Sequence, residues 1–268
     1  MPGLSLGLGL NSAWRFAGAV RPVEAPALLF ANGEQGAWYD PSDLSTMSQD
    51  SAGTIAAAVD SPVGRIADKS GNDRHLTQAT TSQKPILRQS GSQYYLQFDG
   101  VDDTLVSDSI DLSGSDKATL MAAIYNSGSS GMMAEFSPTT DSNTGSFNFY
   151  RSGGTTMWLS SRGTAAEGAD KRVDHTVAGF TAAVHTGLFD ISGDLVVARR
   201  NAVQMGTATG DQGAGNFGNY PLYLGARGGT ALRWAGRLYG LIVRSGLTAG
   251  DELADAEQWL DGKIGDTF

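Results

Sequence analysis

The chain has 268 residues, a mass of 28.0 kDa and a formal net charge of −9, with 40% hydrophobic residues, 36 glycines and no cysteine. The hydrophobic content supports a buried core and excludes wholesale disorder, and the balance of 19 basic against 28 acidic residues argues against a nucleic-acid module. Without cysteine there are no disulfides, thiolate nucleophiles, cysteine-based zinc sites or iron–sulfur clusters, and three histidines without an HExxH spacing argue against a zinc hydrolase.

The first twenty residues, MPGLSLGLGLNSAWRFAGAV, carry no basic region ahead of their apolar side chains, which are spaced by Gly and Ser. That texture predicts an extended arm that orders against a partner rather than a secretion signal. The arm is expected to span 1–26, with Leu4, Leu6, Leu8, Leu10, Trp14 and Phe16 as its anchoring side chains, and 27–268 to form a second unit. No stretch reaches the roughly 18 apolar residues of a membrane span, so no membrane insertion is expected.

From Gly36 onward, short alternating apolar runs are separated by Gly, Asp, Asn and Ser at intervals of roughly 8–12 residues, the pattern of an all-β sandwich or barrel. In chain order the strands are expected at 94–98, 118–125, 132–136, 146–151, 156–160, 173–181, 195–199, 223–225 and 237–244. ATLMAAIY (118–125) is apolar throughout, as a strand buried on both faces is. RLYGLIVR (237–244) suggests a central strand with one solvated face. Asp99-Gly100 is a hairpin signal. A helix is expected at the C-terminus, capped by Thr248 with Asp251 three residues on. Its apolar face is Leu253, Ala256, Trp259, Leu260 and Ile264, and Gly262 and Gly265 mark a fraying end.

Around Asp68 the chain reads ADKSGNDRHLTQ; it then reads YYLQFDGVDDTLVS (94–107) and ends AGRLYGLIVRSGLTAGDELADAEQWLDGKIG. In this order the three segments resemble the concanavalin A-like lectin/glucanase superfamily in its laminin-G-like form. The resemblance runs from about Trp38 to Gly265 and implies an antiparallel two-sheet jelly-roll sandwich. Independently of it, Gly71 suits the positive φ of a tight turn, Asp68 suits backbone N–H groups, and Asp43 suits a cap after Pro41. Asp99, Asp102 and Asp103 read first as carboxylates that hold a turn. Calcium is the functional alternative, because it takes 6–8 oxygen ligands.

The E-x-D-x-x-E strand motif of the glucanase branch is missing, as are G-x-S-x-G, P-loop and dinucleotide signatures. His175 beside Asp174 reads as a structural strand histidine. The expectation is therefore a protein that is not an enzyme, with carboxylate pairs distant in sequence left open. Binding is expected on loops. The run DQGAGNFGNYP (211–221) offers Asn216, Phe217, Asn219 and Tyr220, and Tyr150, Trp158, Arg162, Arg227 and Trp234 add aromatic faces and planar hydrogen-bonding groups suited to a sugar. The competing reading places Trp158 and Trp234 in the core.

LFANGEQGAWYDPSDLSTM, with DKSGND and DQGAGNFGNYPLYLGARGGT, also resembles a family of bacteriophage and prophage virion proteins. That resemblance implies a virion component, most simply a tail-fibre or baseplate-attached adhesin binding host surface polysaccharide. Its partners would be other virion proteins, met through the arm, and further copies of itself, by analogy as a trimer. The alternatives are a head decoration or spike protein without a specific ligand, and a glycan hydrolase.

Overall fold

The computed structural model describes residues 25–127, 130–153, 155–166, 168–176 and 181–265. The predicted arm with its anchoring side chains, and 177–180 of the predicted strand 173–181, lie largely or wholly outside them. The architecture is an all-β antiparallel sandwich. Strands are numbered along the chain. From edge to edge, the first sheet holds β16 (Val203–Ala208), β15 (Leu195–Arg200), β14 (Ala182–Asp190), β9 (Lys117–Asn126), β19 (Ala235–Ser245), β6 (Gln93–Asp99) and β5 (Ile86–Ser90). β1 (Gly36–Tyr39) shares an edge of β19 with β6, pairing Leu241 to Arg244 while β6 pairs Ala235 to Leu238. The second sheet holds β13 (Arg172–Thr176), β12 (Thr156–Arg162), β11 (Ser146–Arg151), β10 (Gly131–Phe136), β18 (Leu222–Leu224), β7 (Leu105–Ser107), β4 (Leu76–Thr77), β3 (Arg65–Ile66) and β2 (Met47–Ser48). β8 (Ile110–Asp111) and β17 (Asn219–Tyr220) pair apart from both.

Period-two alternation sends one set of side chains between the sheets. Leu120, Ala122 and Ile124 of β9 meet Phe147 and Phe149 of β11 and Leu159 of β12 in one buried cluster. Phe147 stacks between Phe136 and Phe189, with centroids 4.9 Å away on each side. Gly187 of β14 is part of this fit: a Cβ there would lie 2.6 Å from Phe189 and 2.7 Å from Phe149. That glycine interrupts the apolar pattern of AAVHTGLFD, which is why the alternation did not announce β14.

A second apolar layer covers the other face of the first sheet. Helix α1 (Ala25–Leu28) leads into Leu29 and Phe30, and helix α2 (Gly250–Ile264) brings Leu253, Ala256, Leu260 and Ile264 onto Met121, Ala123, Tyr239 and Ile242. Each buried Leu or Ile contributes about 1.5–3 kcal/mol relative to exposure. Glu257 of α2, buried, takes Arg199 in a two-pronged pair at 2.9 Å and 2.9 Å and accepts from Thr186 at 2.8 Å. The face of β19 expected to be solvated is therefore covered by the C-terminal helix.

Local details differ from expectation in instructive ways. Ala249, not Thr248, precedes α2; the Thr248 amide is buried and donates to the Thr119 hydroxyl. Gly262 is inside the helix, and Gly265 at φ +68 is a left-handed cap rather than a frayed end. The Asp99-Gly100 turn closes no hairpin, since β6 and β7 belong to different sheets. After Pro41 the turn is held by buried Asp40, which accepts from the Ser42 amide and hydroxyl, while Asp43 pairs with Lys69. Asp68 does hold its loop, accepting from the amides of Trp38, Ser70 and Arg74.

Candidate functional site

The outward face of the second sheet carries a polar row where the inward face is apolar. Register places Arg172, Ser160, Asn148, Glu135 and Tyr223 side by side across β13, β12, β11, β10 and β18. The next row is Asp174, Trp158 and Tyr150. A groove of about 360 Å³ runs over these strands, floored by Asn148, Tyr150, Trp158 and Ser160 and walled by Lys171 and Arg172 on one side and by Asp141, Arg227 and Leu232 on the other.

Its aromatic part is rigid. Tyr150 and Trp158, both half-buried, pack at 5.1 Å between centroids and 52° between planes. The Arg172 guanidinium covers one indole face at 3.7 Å. Asp174, two residues along the same strand, accepts from Arg172 Nε at 2.9 Å and Nη2 at 3.3 Å, fixing the fork on the ring. These charges are partly exposed, so the pair orients more than it stabilises.

The opposite wall hangs on one buried acid. Glu135 has no exposed side-chain surface; its Oε1 accepts from the Thr140 amide at 2.7 Å and hydroxyl at 3.0 Å, and its Oε2 from Arg227 Nε at 3.2 Å. Burial pushes its carboxyl above the usual range, against the opposing pull of the Thr140 N–H and Arg227. Asn148 donates to the Thr140 hydroxyl at 2.7 Å, and Arg162 Nη1 donates to the carbonyls of Thr140 and Asp141 at 3.2 and 2.7 Å. Arg227 also holds the exposed Asp141 carboxylate. Gly228 and Gly229, at φ +54 and +72, close the tight turn that brings Arg227 there. Leu232 is 40% exposed and sits at φ +47, a costly conformation for a branched side chain, with its carbonyl accepting from the Met132 amide at 2.7 Å.

Of the residues that the sequence singled out, Trp158, Arg162 and Arg227 come together here with Tyr150. The others do not. Phe217 is buried in the inter-sheet cluster, edge-on to Phe147, and Trp234 is buried against Phe98 with its indole N–H donated to Asn126 at 2.8 Å. Neither ring has a face to offer a ligand. Tyr220 leans on Phe136 and donates its hydroxyl to the Thr144 carbonyl, Asn216 donates to the Ser113 carbonyl, and Asn219 pairs with Asp111. The run 211–221 is thus a strap over one end of the sandwich. Asn148, Ser160, Lys171, Arg172, Asp141 and Leu232 were not singled out by the sequence. The signal was available: SFNFYR and TMWLSSR place polar and aromatic groups at every second position, on the face opposite the phenylalanines.

Asp99, Asp102 and Asp103 gather with one oxygen from each within 4.8 Å of the others. Two are already engaged: Asp99 accepts from the Val101 amide at 2.7 Å and Asp103 from the Asp99 amide at 2.9 Å. Burial raises the Asp103 carboxyl to about 6. The donor set is one a hard cation takes, and the backbone contacts are those of a held turn.

No family model matches the chain, and no curated protein does. Solved structures share its fold. A GH54 α-L-arabinofuranosidase superposes with a TM-score of 0.57 at 14% identity, over 78% of this chain and 52% of that one. Domain 4 of AbnA, an extracellular GH43 arabinanase from Geobacillus stearothermophilus solved in complex with arabinotriose, gives 0.52 at 13%, over 84% and 98%. The receptor-binding domain of botulinum neurotoxin D gives 0.53 at 7%, over 72% and 49%. At these identities the likeness shows the fold alone, an antiparallel β-sandwich. The chain spans about half the length of the arabinofuranosidase. The expectation that the protein is not an enzyme is corrected by this likeness, because glycoside hydrolases carry the same sandwich and the missing E-x-D-x-x-E motif does not set hydrolysis aside.

Proposed function

We propose that the chain is a carbohydrate-recognition domain whose ligand lies in the groove between the Arg172 and Arg227 walls. The observation that carries this is the packed Tyr150–Trp158 pair beside a row of fixed polar groups, Asn148, Ser160, Asp141 and Arg227. A sugar ring has an apolar C–H face and a rim of hydroxyls, and such a site matches both. The fold adds support, since one whole-domain likeness is to a domain solved with arabinotriose. Glycan-array binding by the full chain tests the reading. Trp158→Ala is expected to lose about thirtyfold in affinity, the scale of a 2 kcal/mol anchor. Unaltered binding would move the site elsewhere.

In the finer form of this proposal the protein is a virion component, on the strength of the sequence resemblance. Residues 1–26 attach it to the particle, and the sandwich meets host surface polysaccharide in several copies, gaining avidity roughly 10²–10⁴-fold over a single site. A particle reconstruction with this chain at the tail or on a fibre supports that form, and placement on the capsid favours a decoration role. Hydrolysis is the second reading. The arabinofuranosidase fold favours it, and Asp141 is the carboxylate that lines the groove. Reducing-sugar release by the full chain that Asp141→Asn abolishes at unchanged stability would make the groove an active site.

A further inference from the structure

The two guanidiniums that wall the groove are already paired with carboxylates, while Lys171 and the buried Arg162 are held on backbone carbonyls. Arg172 gives Nε and Nη2 to Asp174. Arg227 gives Nε to Glu135 and Nη1 to Asp141, and its Nη2 lies 3.4 Å from the Thr140 hydroxyl. Arg162, buried below the wall, gives Nη1 to two backbone carbonyls. Lys171 donates from Nζ to the Ala166 carbonyl at 2.7 Å. The whole chain, meanwhile, carries a net charge of −9.

An anionic sugar entering this groove meets the Arg172 and Arg227 guanidiniums already paired with carboxylates. At either guanidinium it must displace a carboxylate to pair its own charge, and the acidic chain opposes its approach. Uncharged hydroxyls face neither cost. They donate to the spare lone pairs of Asp141 and accept from the remaining N–H groups without breaking a pair.

We infer that the groove selects uncharged saccharides over those bearing uronate or sulfate groups, and that Asp174 sets this selectivity by holding Arg172 neutralised on the Trp158 face. The inference rests on the carbohydrate reading of the groove. Asp174 is exposed and on the edge strand of its sheet, so Asp174→Asn keeps the fold while releasing the fork.

The test is calorimetric titration of the full chain with gluco-, galacto-, manno- and xylo-oligosaccharides, and with oligogalacturonate, oligomannuronate and sulfated galacto-oligosaccharides. It is run at low ionic strength and at about 0.15 M salt, where screening acts over about 8 Å. The wild type is expected to bind at least one neutral oligosaccharide with little salt dependence and the acidic ones more weakly. Asp174→Asn is expected to raise affinity for an acidic oligosaccharide roughly three- to fivefold, the scale of one partly exposed charge pair; Asp174→Glu restores the discrimination. Acidic sugars bound as tightly as neutral ones by the wild type would overturn the inference and leave the carbohydrate reading standing. An Asp174→Asn variant without gain would remove Asp174 from the selectivity. Binding of neither class would overturn the carbohydrate reading itself.

Discussion

Replacing Glu135 with Gln tests how the groove wall is built. The side chain is fully buried and holds three donors: the Thr140 amide at 2.7 Å, the Thr140 hydroxyl at 3.0 Å and Arg227 Nε at 3.2 Å. Gln keeps one acceptor oxygen, which can stay on Thr140. Its amide nitrogen must then face Arg227 donor to donor. A hydrogen bond to a charged group contributes about 1.5–3 kcal/mol, and breaking a buried pair costs about 3–5 kcal/mol when a charge is left alone. Arg227 keeps Asp141, so the lower figure applies, and the expected loss is about 2–3 kcal/mol. Urea unfolding measures it. Hydrogen exchange at the Thr140 amide reports the local consequence, because that N–H loses its charged acceptor. A Glu135→Gln, Arg227→Gln double variant should lose less than the sum of the singles by at least about 1 kcal/mol. A stability change within about 0.5 kcal/mol together with an undisturbed Thr140 amide would refute the account of the wall, since such small effects belong to surface positions without partners.

Acidification acts through three buried groups, two histidines and an aspartate whose effect opposes theirs. His175 Nε2 and His185 Nδ1 lie 3.3 Å apart between the sheets, and burial, with Arg200 nearby, holds both neutral, His175 at about 4 and His185 well below its ordinary value. Their folded values lie below the unfolded one of about 6.5, so the stability is complete above that pH and lost as pH falls from there. The urea midpoint should drop between pH 7 and pH 5, and His185→Gln should flatten the drop. Asp103 works against this, because burial raises it to about 6. Its folded value lies above the unfolded one, so stability increases as pH falls from about 6 towards 4, and Asp103→Asn should be more stable than the wild type at pH 7.5 by about 1–3 kcal/mol and equal to it near pH 4. Calcium that raises the wild-type melting temperature at pH 7.5, but not that of Asp103→Asn, would make these carboxylates ligands instead. Phe217→Ala should lose about 3–5 kcal/mol on unfolding, as a buried core ring does, with carbohydrate binding little changed; weakened binding at unchanged stability would return the 211–221 strap to the site.

The fold was legible where burial follows a simple period. ATLMAAIY reads as a doubly buried strand because both β9 neighbours and both covering layers are apolar. The terminal helix reads from its 3.6 spacing. β14 did not, since Gly187 yields its volume to Phe149 and Phe189. The solvated face expected for RLYGLIVR is covered by the helix that directly follows it, because the strand's own pattern does not mark where that helix docks. In the site, Trp158, Arg162 and Arg227 were found as residue types, while their neighbours were not. Whether a tryptophan faces a groove or the core depends on strand parity and pairing: Trp158 shares its side of β12 with Ser160 and Arg162, whereas Trp234, just ahead of β19, packs against Phe98. The glycine-rich run 211–221 had the composition of a binding loop, but its Phe217 is drawn inward to complete the stack around Phe147.

The most direct measurement is ¹H–¹⁵N NMR of the full chain during titration with a neutral oligosaccharide taken from the array. The account predicts that the Trp158 indole N–H and the backbone amides of Tyr150, Ser160 and Arg172 shift together to saturation while the buried Trp234 indole stays fixed. A saturating titration that leaves Trp158 unmoved, or that shifts only residues of the 211–221 strap, would contradict it.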